Sequence, residues 1–365
     1  MGGKLVCDQP EALRTTSPTL RMRIISAIRL SCILSLTLLF FYNSKYTKDR
    51  LFFQFPYAIT NLLSLLLGIE LNVRHSTFRT NELQLLKSLV QFDVSYSKYV
   101  DENYKGNDGY LSKIFVTVLF VVSVTISTSL PFGASDTDWY LLIPEVIGKI
   151  NGDWCWLSII IHVQEIKFRY DKLNNQVKNL GNNKEEPTFI VSPNPPETDT
   201  ASRLYYINRL HYKLYGIINS FSDLYSVALL VVPLQSVYHI MVDLHYLYQT
   251  VFLQPSAMST GYTILHSCRM VTLFLHMIVL GYICEEACNR ANIMPVLLHQ
   301  YRNDFFDMKM ESHIQMYSLQ HLHQKVAISA LGFFYIDISS VYTHIGAVIT
   351  YLMILIQFDK PPVEV

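Results

Sequence analysis

Hydrophobic residues fall into seven long runs separated by polar stretches. In chain order the runs are Ile24–Tyr42, Phe52–Leu71, Leu111–Phe132, Trp139–Val163, Ile217–Val251, Tyr262–Cys284 and Val326–Phe358. An α-helix needs roughly 20 apolar residues to cross the hydrocarbon layer of a bilayer, and every run reaches about that length. The pattern therefore predicts an all-α membrane protein with seven transmembrane helices, of which the fifth and seventh must tilt, break or project beyond the bilayer.

The composition agrees with a membrane protein. Half of the 365 residues are hydrophobic and 16% are charged, whereas soluble proteins are about a quarter charged. Lysine plus arginine and aspartate plus glutamate both number 29. This balance gives no reason to expect a nucleic-acid partner.

The positions of the basic residues predict the orientation. Lysines and arginines are frequent in the N-terminal tail and in the connections after the second, fourth and sixth runs. The opposite side has Lys45, Lys48, Arg50 and Lys360. Because cytoplasmic segments carry the basic excess, we expect the N-terminus in the cytoplasm and the C-terminus outside the cell. A G-protein-coupled receptor has the reverse orientation, so we expect no G protein as a partner.

The runs divide the chain into segments with different predicted roles. We expect a cytoplasmic tail over 1–23, the first six spans over 24–284, a cytoplasmic segment over 285–325, the seventh span over 326–358 and an extracellular tail over 359–365. Prolines and polar residues at about 174–200 predict a disordered cytoplasmic insertion. Met310–Leu322 is amphipathic at helical spacing, which predicts a helix with one face to bury.

The sequence gives no basis for an enzyme. It lacks a nucleophile elbow, a glycine-rich phosphate loop and a zinc-protease helix motif. Cys284 and Cys288 share a helix face without paired histidines at ligand spacing, so we expect neither a metal nor a cofactor. The sixth-to-seventh connection also contains His299, His313, His321 and His323. They fit solvated side chains on a cytoplasmic helix better than a pH sensor or a metal site.

The end of the last run has a distinct pattern. Thr350 and Tyr351 precede five hydrophobic residues, and Gln357 and Phe358 follow them. An amide at the end of a membrane helix is costly unless it meets water, an ion or a partner. The pattern resembles the C-terminal signature of insect gustatory receptors, and the resemblance extends upstream through Ser318-Leu319-Gln320 and Ala330-Leu331-Gly332-Phe333-Phe334.

The resemblance implies a fold and an assembly. Such receptors are homomeric or heteromeric tetramers in the plasma membrane of chemosensory neurons, and a small-molecule tastant opens them. It implies that the last helix lines a pore on a four-fold axis, in contact with its partners and membrane lipid, and that Ile354, Gln357 and Phe358 form the gate. Residues 285–325 would belong to a cytoplasmic anchor. Helical spacing places Thr350, Ile354 and Gln357 on adjoining positions of one face.

Aromatic and polar side chains gather at the predicted outer ends of the other runs. The candidate ligand-binding residues are Trp139, Tyr140, His239, Asp243, Tyr246, Gln249, Tyr262 and His266. Aromatic walls with a few polar groups suit a small organic molecule. An interfacial aromatic belt explains Trp139, Tyr248 and Tyr262 equally well. His239 and Asp243 are stronger candidates, because ionisable groups inside a span are expensive.

One polar ladder in the fourth run has two interpretations. Glu145, Lys149 and Asp153 follow at four-residue intervals, so opposite charges can pair along one helix face. They form either a structural salt-bridge ladder or contacts to a ligand. Both interpretations place them in the bundle interior or in a wet vestibule.

The resemblance also bears on the class of tastant. Sweet receptors of the main clade tend to carry an acid directly after the Thr-Tyr pair, where this chain has Leu352. We therefore expect a non-selective cation channel gated by bitter or deterrent plant compounds. The alternatives are a fructose-type receptor and an odorant receptor of the same superfamily. A secondary transporter is more remote, because no inverted repeat is visible.

Overall fold

The structure is a computed structural model that describes residues 62–63, 66–67, 79–97, 110–133, 139–182, 200–253, 260–302 and 308–358. The first predicted run, most of the second run and both predicted tails lie outside these residues. The predictions made for them stay predictions.

Helices make up nearly all of the described residues. In chain order they are α1 (Arg79–Ser97), α2 (Tyr110–Gly133), α3 (Trp139–Asn182), α4 (Thr200–Tyr248), α5 (Thr260–Asn292), α6 (Met294–Arg302), α7 (Met308–His323) and α8 (Ile338–Phe358). A π-helical turn, Gln249–Leu253, continues α4. A short hairpin of β1 (Ser329–Ala330) and β2 (Phe334–Tyr335) precedes α8. The prediction of a mostly helical protein is confirmed.

The apolar runs correspond to helices long enough for a membrane. By length and composition, four stretches of the described chain could cross a bilayer: Ser112–Ser129, Ser202–Phe252, Thr263–Gln300 and Ile338–Gln357. The fourth run forms the first half of α3, a helix of 44 residues. Lys149, Asn151 and Asp153 lower the hydropathy of that half. Its length suits a span, and its polar residues therefore need partners inside the bundle.

The polar residues of α2 are accommodated within the helix itself. The hydroxyls of Thr117, Thr125 and Ser127 each donate to the carbonyl oxygen four residues earlier, at 2.8 Å. A hydroxyl that is satisfied in this way needs no water in an apolar surrounding. This explains why a helix with several threonines and serines remains a good candidate span.

The helices form one bundle with α3 and α5 at its centre. α3 packs against α2, α4, α5 and α6, and α5 packs in addition against α2, α4 and α8. The fully buried side chains of Trp156, Ile160, Phe221 and Tyr225 belong to the core of this bundle.

An additional helix, α1, lies in the predicted connection after the second run. The Tyr225 hydroxyl donates to Glu82 at 3.1 Å, and the Lys213 ammonium donates to the Ser95 hydroxyl at 3.1 Å. Because these contacts run in opposite chain directions, α1 lies antiparallel to α4. Arg169 of α3 also makes a bidentate contact to Asp93, at 3.0 and 2.6 Å.

The prediction of disorder from residue 174 onward was wrong for its first part. α3 continues to Asn182, and α4 begins at Thr200. The Asn174 side chain is buried and donates to the Arg290 carbonyl at 2.7 Å, and Val177 is buried as well. One face of this polar stretch is thus held by α5, which composition alone does not reveal. Residues 183–199 lie outside the described chain.

The segment predicted as cytoplasmic, 285–325, contains the end of α5 together with α6 and α7, which pack on each other. His321 of α7 is buried, with its ring 4.2 Å from that of His211. Burial, and secondarily the neighbouring His211, lowers the pKa of His321 to about 3. The interpretation as a solvated histidine was therefore wrong for His321, which stays neutral at physiological pH.

The last predicted run divides into a hairpin and a helix. The Asn292 side chain bonds both the N–H and the C=O of Val326, at 2.8 Å each. The hairpin then turns through Leu331 and Gly332, whose φ angles are 52° and 77°. Left-handed conformations of this kind occur in tight hairpin turns and favour glycine. The seventh helix therefore begins at Ile338, not at Val326 as predicted.

Specific contacts fix the start of α8. The Ser340 N–H donates to the Asp337 carboxylate at 2.7 Å, and the Asp337 N–H donates to the Ser340 hydroxyl at 3.3 Å. This reciprocal pair is a capping box. Glu285 of α5 accepts the Ile338 N–H at 3.0 Å. A Cβ on Gly281 would lie 2.9 Å from the Asp337 carbonyl oxygen, so the absence of a side chain allows α5 and α8 to approach closely.

α8 rests on α4 and α5 through one narrow face. Val341 and Val348 form a cluster with Ile240 of α4 and with Leu273 and Met277 of α5. Most of the remaining surface of α8 is exposed in this single chain, although the helix is apolar.

Candidate functional site

The most deeply buried charge of the described bundle belongs to Asp243 on α4. Its carboxylate is 0% exposed. Arg269 of α5 donates to it through Nε at 2.9 Å and through Nη2, and His266 donates through Nδ1 at 2.6 Å. A carboxylate accepts hydrogen bonds, so the His266 Nδ1 atom carries the proton. This arrangement ties α4 to α5.

Aromatic and amide groups continue this site toward the end of α4. The rings of Tyr246 and His266 stack with centroids 4.4 Å apart. The Gln249 amide contacts His245 Nε2 at 3.1 Å, one helical turn earlier. The site therefore combines a flat aromatic wall with hydrogen-bonding groups.

A second charged cluster lies on α3. Lys149 donates to Asp153 at 2.5 Å, and both residues are buried. The Ser123 hydroxyl of α2 donates to the other carboxylate oxygen at 2.9 Å. His276 of α5 places Nδ1 3.6 Å from Asp153, and its ring stacks on Trp156 at 4.1 Å. This cluster ties α2, α3 and α5 together.

Polar residues of α4 lie between the two clusters. A Cβ on Gly152 would lie 2.6 Å from Gln235 Oε1, so α3 and α4 are in close contact here. His239 is buried and lies within electrostatic range of Lys149, Asp243 and Arg269. We call the whole set the polar seam; its residues are Ser123, Lys149, Asp153, Gln235, His239, Asp243, His266, Arg269 and His276.

The seam has balanced charges but some unused hydrogen-bonding capacity. Lys149 and Arg269 offset Asp153 and Asp243, which is the condition for burying charges in an apolar bundle. Gln235 Nε2 is among the buried atoms without a hydrogen-bond partner in the described protein. Such atoms can bind a water molecule or a polar group of a ligand.

The structure brings together some of the predicted ligand-binding residues. Asp243, Tyr246 and His266 meet in one site, and His239 lies one turn from Asp243. Gln249 is in the π-helical turn beyond them. Trp139 and Tyr140 begin α3, and Tyr262 lies in the first turn of α5. The side chains of these three residues and of Glu145 lie outside the described set.

Several seam residues were not predicted as site residues. Arg269 contacts Asp243 directly, and Ser123 and His276 surround Asp153. Arg269 is a charged residue in the middle of the sixth apolar run, and that signal alone marks it as a candidate. Ser123 and His276 gave no comparable signal, because their role depends on contacts between helices.

The predicted gate residues lie on the uncovered side of α8. Ile354 is 41% exposed, and Gln357 is exposed as well. The side chain of Phe358 is not described. Helical spacing places the exposed residues Ser339, Thr343, Gly346, Thr350, Ile354 and Gln357 on the face opposite Val341 and Val348. We call these six residues the α8 stripe.

The α8 stripe consists mainly of small and polar residues. The hydroxyls of Thr343 and Thr350 donate to the carbonyls of Ser339 and Gly346, at 3.1 and 2.9 Å. The neighbouring exposed positions Tyr342, Ile349 and Met353 are larger and more apolar. The helix thus presents one narrow polar face within an apolar surface.

Among the described residues there is no cluster of three or more histidine, cysteine or acidic side chains suited to a metal.

Comparison with protein families gives a match along nearly the whole chain. Residues 8–360 match the family described as 7tm Chemosensory receptor. The chain is 35% identical to Putative gustatory receptor 2a of Drosophila melanogaster over 104 residues, which is 23% of this chain and 24% of that protein. It is 29% identical to Putative gustatory receptor 28b of the same species over 94 residues, or 26% and 20% of the two chains. The matches span a quarter or less of the length of these curated relatives.

The fold is similar to that of solved insect olfactory receptors. The olfactory receptor OR5 of Machilis hrabei matches with a TM-score of 0.61 at 14% identity, over 98% of this chain and 93% of that chain. The same receptor in complex with eugenol matches with a TM-score of 0.56 at 13% identity, over 93% and 88% of the two chains. At this identity the similarity concerns the fold.

The buried pair of Asp243 and Arg269 should respond to mutation as a unit. Asp243→Asn or Arg269→Gln leaves one buried group without its counter-charge, so we expect each to destabilise the protein by about 3–5 kcal/mol. The double variant should lose less stability than the sum of the losses in the two single variants. Thermal unfolding of the purified protein in detergent measures all three.

The pair Lys113–Glu165 is the matched control. Its atoms are 2.8 Å apart, but its side chains are 49% and 35% exposed. Lys113→Gln should therefore change stability by about 1 kcal/mol or less. Equal effects at the buried and the exposed pair would contradict the structural role of the seam.

Proposed function

This chain belongs to the 7tm chemosensory receptor family, and from that premise we propose that it is a subunit of a tetrameric, non-selective cation channel opened by a tastant. The tastant would be a bitter or deterrent plant compound that arrives from outside the cell. The channel would lie in the plasma membrane of chemosensory neurons, with its N-terminus in the cytoplasm and its C-terminus outside. The tetramer would be homomeric or would include other gustatory receptor subunits.

The α8 stripe is the observation that carries this proposal. α8 is apolar and packs on its own chain through the opposite face. In lipid, the exposed amide of Gln357 would lack hydrogen-bond partners, at a considerable cost. Four copies around an axis would turn the stripe toward a shared aqueous path, and the larger side chains Tyr342 and Ile349 toward lipid or neighbouring helices.

The outer end of the stripe has the chemistry of a gate. A ring of Ile354 side chains would exclude ions by dewetting when narrow. A ring of Gln357 amides would replace part of the hydration shell of a cation when the helices move apart. Phe358, at the end of the same helix, completes the gate that we propose.

The tastant would bind at the outer end of the polar seam. Tyr246 and His266 offer a stacked aromatic wall beside a buried charge. The remaining proposed contacts come from Trp139, Tyr140, His239, Asp243, Gln249 and Tyr262. Gln235 Nε2 adds an unused hydrogen-bonding group deeper in the bundle. A small organic molecule with one or two polar groups suits such a site.

The arrangement of α4 and α5 supports a coupling between ligand and pore. Asp243 and Arg269 join these two helices on one side. Ile240 and Leu273, each one helical turn away on the same helices, form part of the seat of α8. A tastant that binds one spacing of α4 and α5 more tightly would shift the population toward the matching position of α8.

An odorant-gated channel is the second candidate. The fold similarity to the Machilis hrabei olfactory receptor favours it. The complete motif of Thr350, Tyr351, Gln357 and Phe358, together with the two gustatory relatives, favours taste. Leu352, after the Thr-Tyr pair, favours bitter compounds first and a fructose-type sugar second.

Recording from oocytes tests the proposed function. We expect cells that express the chain, alone or with partner subunits, to give inward currents with alkaloids or plant glycosides and weaker currents with sugars. Labelling of surface protein confirms expression in the same cells. Currents to volatile odorants without currents to any tastant would favour the second candidate, and silence toward all panels despite surface expression would contradict both.

Gln357→Ala tests the pore in the same recordings. Because the amide would contact permeating ions, we expect altered permeability ratios among sodium, potassium and calcium at normal surface expression. Ile349→Ala is the matched control on α8, since Ile349 is exposed but lies away from the stripe. Unchanged ratios for Gln357→Ala in a conducting channel would remove Gln357 from the pore.

A further inference from the structure

A groove of about 620 Å³ lies between α1 and α4, separate from the polar seam. It is lined by Gln84, Leu85, Ser88, Gln91, Phe92, Lys213, Gly216, Ile217, Ser220, Asp223 and Leu224. Gly216 precedes Asp243 by 27 positions on α4, which corresponds to about 40 Å of helix. The groove therefore lies at the opposite end of the bundle from the proposed tastant site.

Lys213 gives the groove a positive end. Its side chain is half-buried, and its ammonium donates to the Ser95 hydroxyl at 3.1 Å. No carboxylate of the described residues lies within ion-pair distance of it. Ser95 accepts this hydrogen bond without carrying a charge, and its own hydroxyl proton is donated to the Gln91 carbonyl. A half-buried ammonium without a counter-charge favours an anionic group beside it.

The groove changes character along its length. Leu85, Ile217 and Leu224 supply an apolar wall, and a Cβ added to Gly216 would meet no atom within 4 Å. Asp223 is exposed near the far end, ten positions from Lys213, or about 15 Å along α4. A ligand with one negative charge would thus place that charge beside Lys213. Asp223 would repel a second negative charge at the other end of the groove.

Two contacts of α3 give the position of the groove relative to the apolar part of the bundle. Gln164 of α3 contacts Ser112, the first residue of the α2 apolar stretch, at 2.9 Å. Arg169, five positions later on α3, pairs with Asp93 of α1. The Lys213 end of the groove lies level with this pair, just beyond the apolar stretch. The Leu224 end lies beside the apolar stretch itself.

We propose that this groove binds the phosphate of an anionic phospholipid at Lys213, with an acyl chain along the wall of Leu85, Ile217 and Leu224. The amides of Gln84 and Gln91 and the hydroxyls of Ser88 and Ser220 line the path beside it. A single lysine matches the single net negative charge of phosphatidylglycerol, whereas the choline ammonium of phosphatidylcholine offsets the charge of its phosphate. The orientation given in the proposed function would place this end of the bundle at the inner leaflet, whereas the chemistry of the groove does not depend on that orientation.

Titration of purified receptor with short-chain lipids tests the proposal. We expect dioctanoyl phosphatidylglycerol to give saturable adducts in native mass spectra, and dioctanoyl phosphatidylcholine to bind about fivefold more weakly or less. Lys213→Gln should weaken phosphatidylglycerol about fivefold or more, and Lys213→Arg should preserve it. Gly216→Phe should abolish binding, because the ring would fill the groove.

Two matched variants separate the groove from general effects. Lys178→Gln removes an exposed lysine elsewhere, and Asn219→Phe adds a ring at an exposed position of α4 outside the groove lining. Both should bind like the wild type. Equal affinity of the two lipids, or wild-type binding by Lys213→Gln, would overturn the proposal whether or not Gly216→Phe folds.

Inorganic phosphate distinguishes the source of the anion. Phosphate that displaces the lipid at equal concentration would overturn the phospholipid and indicate a free phosphate at Lys213. Specific lipid binding by a receptor that gives no tastant currents would leave the groove intact and contradict the proposed function. Tastant currents without specific lipid binding would support the proposed function and contradict the lipid site in the groove.

Discussion

Charged side chains inside an apolar bundle must find their partners within the bundle, and the described structure depends on this constraint. Asp153 is satisfied by Lys149 and Ser123, and Asp243 by Arg269 and His266. Ser123 of α2 and His276 of α5 both contact Asp153 of α3. Arg269 of α5 contacts Asp243 of α4, so these contacts hold the four helices α2 to α5 in one register. That register in turn positions the surface on which α8 rests. Hydrophobic packing alone would not select it, since apolar contacts between helices are not directional.

α8 is held differently from the other long helices. Its start is fixed by a capping box, by Glu285 and by close contact at Gly281. Beyond this point, it touches its own chain through a narrow apolar face. A helix that is fixed at one end and lightly held along its length suits a moving element, because few contacts must break when it shifts. The same structure thus combines a rigid core around the proposed binding site with an adaptable helix for the proposed pore.

Much of the fold could be predicted from the sequence, because long apolar runs need no knowledge of their neighbours. The third run, Leu111–Phe132, differs from α2 by one residue at each end. The family resemblance based on Thr350, Tyr351, Gln357 and Phe358 is confirmed by the family match. The hairpin before α8 was missed, because residues 326–337 are as apolar as a helix that continues into the span. The pairing of Asp243 with Arg269 depends on two helices meeting, which a single sequence does not show.

Cysteine accessibility tests directly whether the α8 stripe faces an aqueous pore. Thr350→Cys, Ile354→Cys, Gln357→Cys and Ile349→Cys would each be exposed to a charged, membrane-impermeant thiol reagent during ligand-evoked currents, with the unmodified chain as the reference. If the stripe lines the pore, we expect the reagent to block the current through the first three variants and to leave the Ile349→Cys current unchanged. Block of Ile349→Cys at the same rate, or no block of the three stripe variants in conducting channels, would show that the stripe does not line the pore.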